Sequence, residues 1–347
     1  MRPSPARRLA LVLLAALPAA ARPEGEAPPP PPIAPRVEFA AIGTGFIPLS
    51  GGEAKAGLWY ASVVGSWTPP GFGARADVRG TPDGFRPYYG TDIWLQEGYA
   101  WAATPAGDVR AGKSDRFFGL ADDTFAGTLF SDNGVTRNPI WGAGVTGETR
   151  IGVDSLTWAV FWEGLGEKAG SWEETGRGVW SDPGAKMGEG ASARVTYLVY
   201  KGLLTLRGGL SGSSLRVWYD DARPAFRLND AAIDLTLTAG PLLISGQYFF
   251  REGERRSPGE RLFLAYDDGR AGLVEFRLEF PTLTFRLIWC RWSYLGAEVS
   301  ESLLQPAVVW TPVKGIEATI EYLARRLPEP GRLVSGDALR LGLGLRF

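Results

Sequence analysis

The side chains able to do covalent or metal chemistry are few. The chain has no histidine and a single cysteine, Cys290. That removes the Ser-His-Asp triad, its Cys-His relatives and His-ligated metal centres. One cysteine builds neither a disulfide framework nor a Cys-cluster zinc site. Acid pairs remain at Asp122-Asp123, Glu173-Glu174, Asp220-Asp221 and Asp267-Asp268. Neighbours in a strand point to opposite faces, so such a pair does not converge on one substrate. A calcium loop needs spaced oxygen ligands of the D-x-D-x-D-G kind, and none occurs. There is no P-loop and no dinucleotide fingerprint. The expectation is a non-enzyme without cofactor or metal. A formal net charge of -1 also gives no basic footprint for nucleic acid.

The charged residues do show order, and the order has period two. In Ala338 to Phe347, Leu339, Leu341, Leu343, Leu345 and Phe347 alternate with Ala338, Arg340, Gly342, Gly344 and Arg346. In Leu273 to Phe280, Val274, Phe276, Leu278 and Phe280 alternate with Glu275, Arg277 and Glu279. Ile316 to Arg325, Leu203 to Ser211 and Ala231 to Thr238 repeat the pattern. These are strands with one oily and one polar face.

The N-terminus reads as an export signal. Arg2, Arg7 and Arg8 precede the apolar run Leu9 to Leu17, and Ala19-Ala20-Ala21 satisfies the small-x-small cleavage rule. Removing residues 1–21 takes away three arginines and no acids, which moves the net charge from -1 to -4. Residues 22–36 contain five consecutive prolines, Pro28 to Pro32, and read as an extended spacer. The folded domain is expected over 37–347.

A soluble sandwich also has an oily and a wet face, with tryptophans filling its core. A membrane barrel turns the oily face to lipid and the charges to a wet lumen. Three features favour the barrel: segments about ten residues long, which is the reach of a tilted membrane strand, charges on one face of nearly every strand, and aromatics near segment ends. Those aromatics are Trp59-Tyr60, Trp67, Trp101, Trp158, Trp162, Trp289 and Trp310. The fold class expected is an all-β, closed, antiparallel transmembrane barrel with a water-filled lumen. Sixteen strands are read, with fourteen or eighteen as alternatives. Arg261 to Asp267 is the weak point, taken as loop or strand extension. Turns at Trp67 to Gly71, Thr104 to Gly107 and Trp310 to Gly315 share a Pro-then-Gly order and fall on one side, the periplasmic one.

Leu95 to Gly119 (LQEGYAWAATPAGDVRAGKSDRFFG) resembles a segment of bacterial outer-membrane porins, notably the porin O/P-like group, through Glu97, Tyr99, Gly112, Lys113, Phe118 and Gly119. The terminal Phe347 after alternating leucines is similar to the last strand of outer-membrane proteins. The resemblance implies location in the Gram-negative outer membrane, with its lipid and lipopolysaccharide as surroundings. It implies Phe347 as a signal to the barrel-assembly machinery, small hydrophilic solutes as cargo, and a homotrimer by family analogy. Phosphate-selective members are lysine-rich at the constriction, whereas this chain has six lysines.

Gly119 to Asn138 is longer than a turn requires; in porins the corresponding loop folds inward. It would place Asp122, Asp123 and Asp132 at a constriction, or it protrudes into bulk water. Gly164 to Gly190 is the other long connection. By parity the inward wall carries Arg75, Arg79, Arg110, Arg194, Arg207, Arg277, Arg286, Glu317, Glu321 and Arg340, together with Asp77, Asp230, Asp234 and Glu275. Mixed signs predict weak ion discrimination. The expected function is a passive pore for small hydrophilic solutes and ions. The rival readings are a channel specific for an anionic polysaccharide or sugar, and a plugged structural or adhesive barrel.

Overall fold

The computed structural model describes residues 34–49, 53–80, 93–114, 118–120, 140–165, 185–219, 225–253, 268–295, 299–329 and 332–346. Asp122, Asp123, Asp132, Phe347, the export signal and Arg261 to Asp267 lie outside the described residues.

The period-two segments form strands running up and down in chain order. They are β1 (Arg36–Pro48), β2 (Lys55–Trp67), β3 (Phe72–Gly80), β4 (Ile93–Thr104), β5 (Gly107–Ser114), β6 (Ile140–Ile151), β7 (Asp154–Leu165) and β8 (Ala185–Lys201). β9 (Leu204–Tyr219), β10 (Phe226–Ala239), β11 (Leu242–Glu252), β12 (Gly269–Glu279), β13 (Leu283–Tyr294), β14 (Val299–Val313), β15 (Ile316–Glu329), β16 (Arg332–Ser335) and β17 (Ala338–Arg346) follow. β16 pairs with the far end of β15 and β17 with its near end, so the two are one wall strand interrupted at Gly336-Asp337. The seventeen-stranded sheet is therefore a sixteen-position wall among the described residues. β17 pairs with β1 from Ala40↔Arg346 to Pro48↔Ala338, and the ring closes. Closure leaves no sheet edge, the condition for a β-structure to sit in hydrocarbon.

At one end the strands turn within a few residues, at 68–71, 105–106, 152–153, 202–203, 240–241, 280–282 and 314–315. The long connections share the other end. Gly71 (φ 84) and Gly315 (φ 91) take the left-handed backbone that such tight turns need. In the third Pro-Gly segment the turn is Lys314-Gly315, and Pro312 lies inside β14 beside a bulge.

The two faces separate cleanly in the middle of the wall. On β10, Ile233 and Leu235 are each 54% exposed, whereas Asp230 and Asp234 are buried. Leu210, Phe276, Phe285, Val308, Ile320, Leu341 and Leu343 continue the exposed apolar outer face. Hydrocarbon is the solvent that such a band suits. Trp67 packs edge-on to Phe72 (5.2 Å) on this outer face near the tight-turn end. Trp101 does not join them. Its register partners Gly73 and Arg110 place it on the inner face, where its indole lies over Gly73.

Candidate functional site: the barrel interior

Sixteen strands about 4.8 Å apart, tilted by about 40°, enclose a ring on the order of 30 Å across. That leaves room for chain inside, and chain enters. The segment following β5 reaches the far wall at Phe118–Leu120. The Gly119 amide donates to Ser211 Oγ (3.0 Å), and the Leu120 amide donates to Gln247 Oε1 (2.6 Å). Phe118 packs edge-on to Phe249, with ring centroids 6.0 Å apart. Ser211 lies near the middle of β9, and Gln247 and Phe249 lie near the middle of β11. Along the wall, three strands separate β5 from β9 and five separate it from β11. Only a path through the interior joins them. Gly119 has φ 63, a left-handed backbone that favours glycine, and a Cβ there would come within 2.9 Å of the Gln247 amide and push that side chain from its place.

The inward arginines form ion pairs along and across strands. Arg194 on β8 makes a two-pronged contact with Asp234 on β10 (Nη1–Oδ2 2.7 Å, Nη2–Oδ1 2.8 Å) and donates to Ser211. It passes over β9 at Gly209, where a Cβ would stand 2.6 Å from both partners. Arg277 and Arg286 both reach Glu275 Oε1, at 2.7 and 2.6 Å. Arg75 pairs with Glu97 (3.1 Å), and Arg79 pairs with Asp77 (2.8 Å) while covering the Tyr60 ring at 4.5 Å. Arg340 meets Glu321 (3.8 Å) and donates to Thr44 (3.4 Å). Arg110 stands between the Tyr99 and Phe161 rings, at 4.8 and 6.0 Å. Arg207 donates to Thr236 Oγ1 (3.3 Å) near the tight-turn end. Glu317, also near that end, is exposed and in register with Gly344.

Several interior residues were not singled out from the sequence. Arg251 pairs with Asp230 (2.8 and 2.9 Å), at 1% and 0% side-chain exposure. The Arg251 guanidinium lies over the Phe249 ring (5.3 Å) and the Trp292 ring (5.5 Å). Arg325 pairs with Glu301. Phe161, Leu215, Val217, Leu228, Cys290 and Trp292 are buried at inward register positions on β7 to β13, so the inner wall carries an apolar patch besides its charges. A signal existed. Leu287-Ile288-Trp289-Cys290 is apolar on both faces, whereas Glu275 to Glu279 alternates. An uninterrupted run marks a strand covered on both sides. Lys113 also turns inward. The backbone kink at Gly112 (φ 132) shifts its parity, and its ammonium donates to the Leu95 carbonyl (2.6 Å).

A closed antiparallel wall, an apolar outer band, an ion-paired interior and a connection docked within the lumen define the transmembrane β-barrel of the porin kind. The solved structures similar in fold agree. OmpF of Salmonella typhi, in complex with daunomycin, matches at 12% identity with a TM-score of 0.65, covering 90% of this chain and 97% of that one. The outer-membrane channel DcaP of Acinetobacter baumannii matches at 12% identity and a TM-score of 0.64, covering 90% and 97%. An anion-selective porin from Comamonas acidovorans matches at 11% identity and a TM-score of 0.53, covering 90% and 99%. No family model and no curated protein matches the sequence.

Proposed function

We propose that this chain is a passive porin of a Gram-negative outer membrane, passing small hydrophilic solutes and ions down their gradients through a lumen narrowed by the β5–β6 connection. The observation that carries this reading is the seat of Phe118, Gly119 and Leu120 at mid-height on β9 and β11. A peptide segment held there by two backbone donors reduces the cross-section where the barrel crosses the middle of the bilayer. Asp122, Asp123 and Asp132 follow in the same connection and supply negative charge to the narrowing. The wall contributes Arg75, Arg79, Arg110, Arg194, Arg207, Arg277, Arg286, Glu317, Glu321 and Arg340. Most of these arginines have a carboxylate partner in the same field, which supports weak discrimination between ions. A channel for one anionic polymer calls for a ladder of one sign, and the pairing speaks against it. The tight-turn end faces the periplasm. In this reading residues 1–21 are removed on export, the proline-rich stretch before β1 is a spacer, and Phe347 addresses the barrel-assembly machinery.

A homotrimer fits the outer surface. Outward positions on β2, β3, β4 and β6 include Ala61, Ala76, Ala100 and Ala143 among larger neighbours such as Val63 and Val78. Small side chains let neighbouring walls approach closely, and the larger ones suit lipid.

The seat is tested by Ser211→Ala combined with Gln247→Leu, in a barrel that still shows heat-modifiable mobility. Unit conductance in planar bilayers is expected to rise by roughly twofold and to fluctuate, as the constriction loses its anchor. A unit conductance equal to that of the wild type would remove the connection from the mechanism. Asp122, Asp123 and Asp132 changed together to Asn are expected to move the reversal potential toward anions, most at low salt where screening is weak.

A further inference from the structure

The Gly119 amide shares its acceptor with an arginine. Ser211 Oγ takes one hydrogen bond from Gly119 (3.0 Å) and another from Arg194 Nη1 (2.8 Å). A hydroxyl left to itself rotates to suit its surroundings and either donates or accepts. A guanidinium has donors only, so Arg194 holds the Ser211 oxygen as an acceptor and leaves its second lone pair for the Gly119 N–H. Arg194 and Ser211 are register partners on β8 and β9, so the contact spans adjacent strands.

What fixes Arg194 lies one strand further on. Asp234 of β10 takes both of its terminal nitrogens, at 2.7 and 2.8 Å. The Asp234 side chain has 0% exposure and that of Arg194 14%, so the contact is shielded from competing water. Asp234 is in register with Gly209 on β9 and with Gln247 on β11. Gly209 leaves the opening through which the pair meets, and Gln247 carries the second anchor, the Leu120 amide (2.6 Å). Asp234 therefore sits between the two side chains that hold the connection. The aromatic contact is backed in a parallel way. Asp230, four residues away on the same face of β10, pairs with Arg251, whose guanidinium lies over the Phe249 ring that meets Phe118.

We infer that Arg194, held by Asp234, is a positioning residue for the constriction: it fixes the Ser211 hydroxyl as the acceptor on which Gly119 is seated. This role goes beyond its charge in the pore wall, and it rests on the seat proposed above.

The test reads amide hydrogen exchange at Gly119, at single-residue resolution, in the folded, heat-modifiable full chain, with single-channel recording of the same samples. Arg194→Met combined with Asp234→Leu removes the pair without changing the net charge and leaves apolar side chains of similar size. It is expected to speed exchange at Gly119 by roughly fivefold, as the loss of one hydrogen bond implies. The current should flicker while the reversal potential stays where it is. Ser211→Ala should speed exchange by a similar factor. Because Arg194 acts through Ser211, all three changes together should exchange no faster than Ser211→Ala alone, whereas independent contributions would multiply. Gly209→Ala is a second route that alters neither partner. Its Cβ, 2.6 Å from the Arg194 and Asp234 side chains, should displace the pair and speed exchange at Gly119 as well.

Faster exchange in Ser211→Ala with the wild-type rate in the pair variant or in Gly209→Ala would overturn this inference and leave the seat standing. Multiplied effects in the triple variant would overturn it too. The wild-type rate in Ser211→Ala would remove the seat, and this inference with it. The expected exchange pattern in a barrel that carries no current would sink the pore reading and support the positioning role.

Discussion

Ile233→Arg is expected to prevent most of the chain from reaching the folded, heat-modifiable form. Ile233 is 54% exposed on β10, between Leu210 and Tyr248 on the neighbouring strands, six residues from the end of the strand at Ala239. It therefore stands near the middle of the apolar band. An arginine facing lipid at that depth costs about 2–4 kcal/mol, a large share of a barrel's stability. Gly344→Arg is the matching inward change. Gly344 lies opposite Glu317, and a Cβ there meets only ordinary contacts, 3.8 Å from Glu317 Cβ and 3.9 Å from its carbonyl oxygen. Its guanidinium would extend into the lumen beside a carboxylate. Folding yield in vesicles, read by the mobility of unheated samples, should drop sharply for Ile233→Arg and little for Gly344→Arg. Equal yields would contradict the assignment of faces.

The second large effect lies inside. Asp230→Ala removes the carboxylate that meets Arg251 at 2.8 and 2.9 Å, at a site where both side chains are almost fully enclosed. Breaking a buried ion pair by removing one partner costs up to about 3–5 kcal/mol. The rings of Phe249 and Trp292 offset part of that by offering their faces to the guanidinium. Asp230→Ala should therefore lower the urea midpoint of unfolding in vesicles strongly. Asp230→Leu with Arg251→Met should recover most of the loss, because an apolar pair of similar volume carries no desolvation cost. Recovery failing in the double variant would show that the pair contributes more than charge compensation, through the seat of Phe118 on Phe249.

The wall was legible because alternation is a local property. A strand that puts lipid on one side and charge on the other writes its period directly, as in Ala338 to Arg346, and the register follows the same parity. Parity fails where the backbone breaks step. β8 begins at Ala185, six residues before the alternation can be read, because Glu189 takes φ 47 and a bulge spans Gly188 to Ala191. Gly112 turns Lys113 inward in the same way. The final strand splits at Gly336-Asp337, where its partner changes along β15.

The ion pairs were half legible. Parity gives the face of Arg194 and of Asp234, but only the packing shows that Gly209 opens the space through which they meet across an intervening strand. Least legible was the seat of Phe118–Leu120, since a contact between β5's continuation and β11 leaves no periodic trace. Its one local sign is Gly119, whose left-handed backbone favours glycine and which lies close to Gln247.

The central claim is that the closed wall surrounds a continuous aqueous path narrowed by chain seated on Ser211 and Gln247. Single-channel recording of the purified full chain in a planar bilayer tests it most directly. The account predicts steady, nearly ohmic current steps with weak preference between cations and anions. Folded, heat-modifiable barrel that inserts and carries no current at any voltage would contradict it and leave a plugged wall in its place.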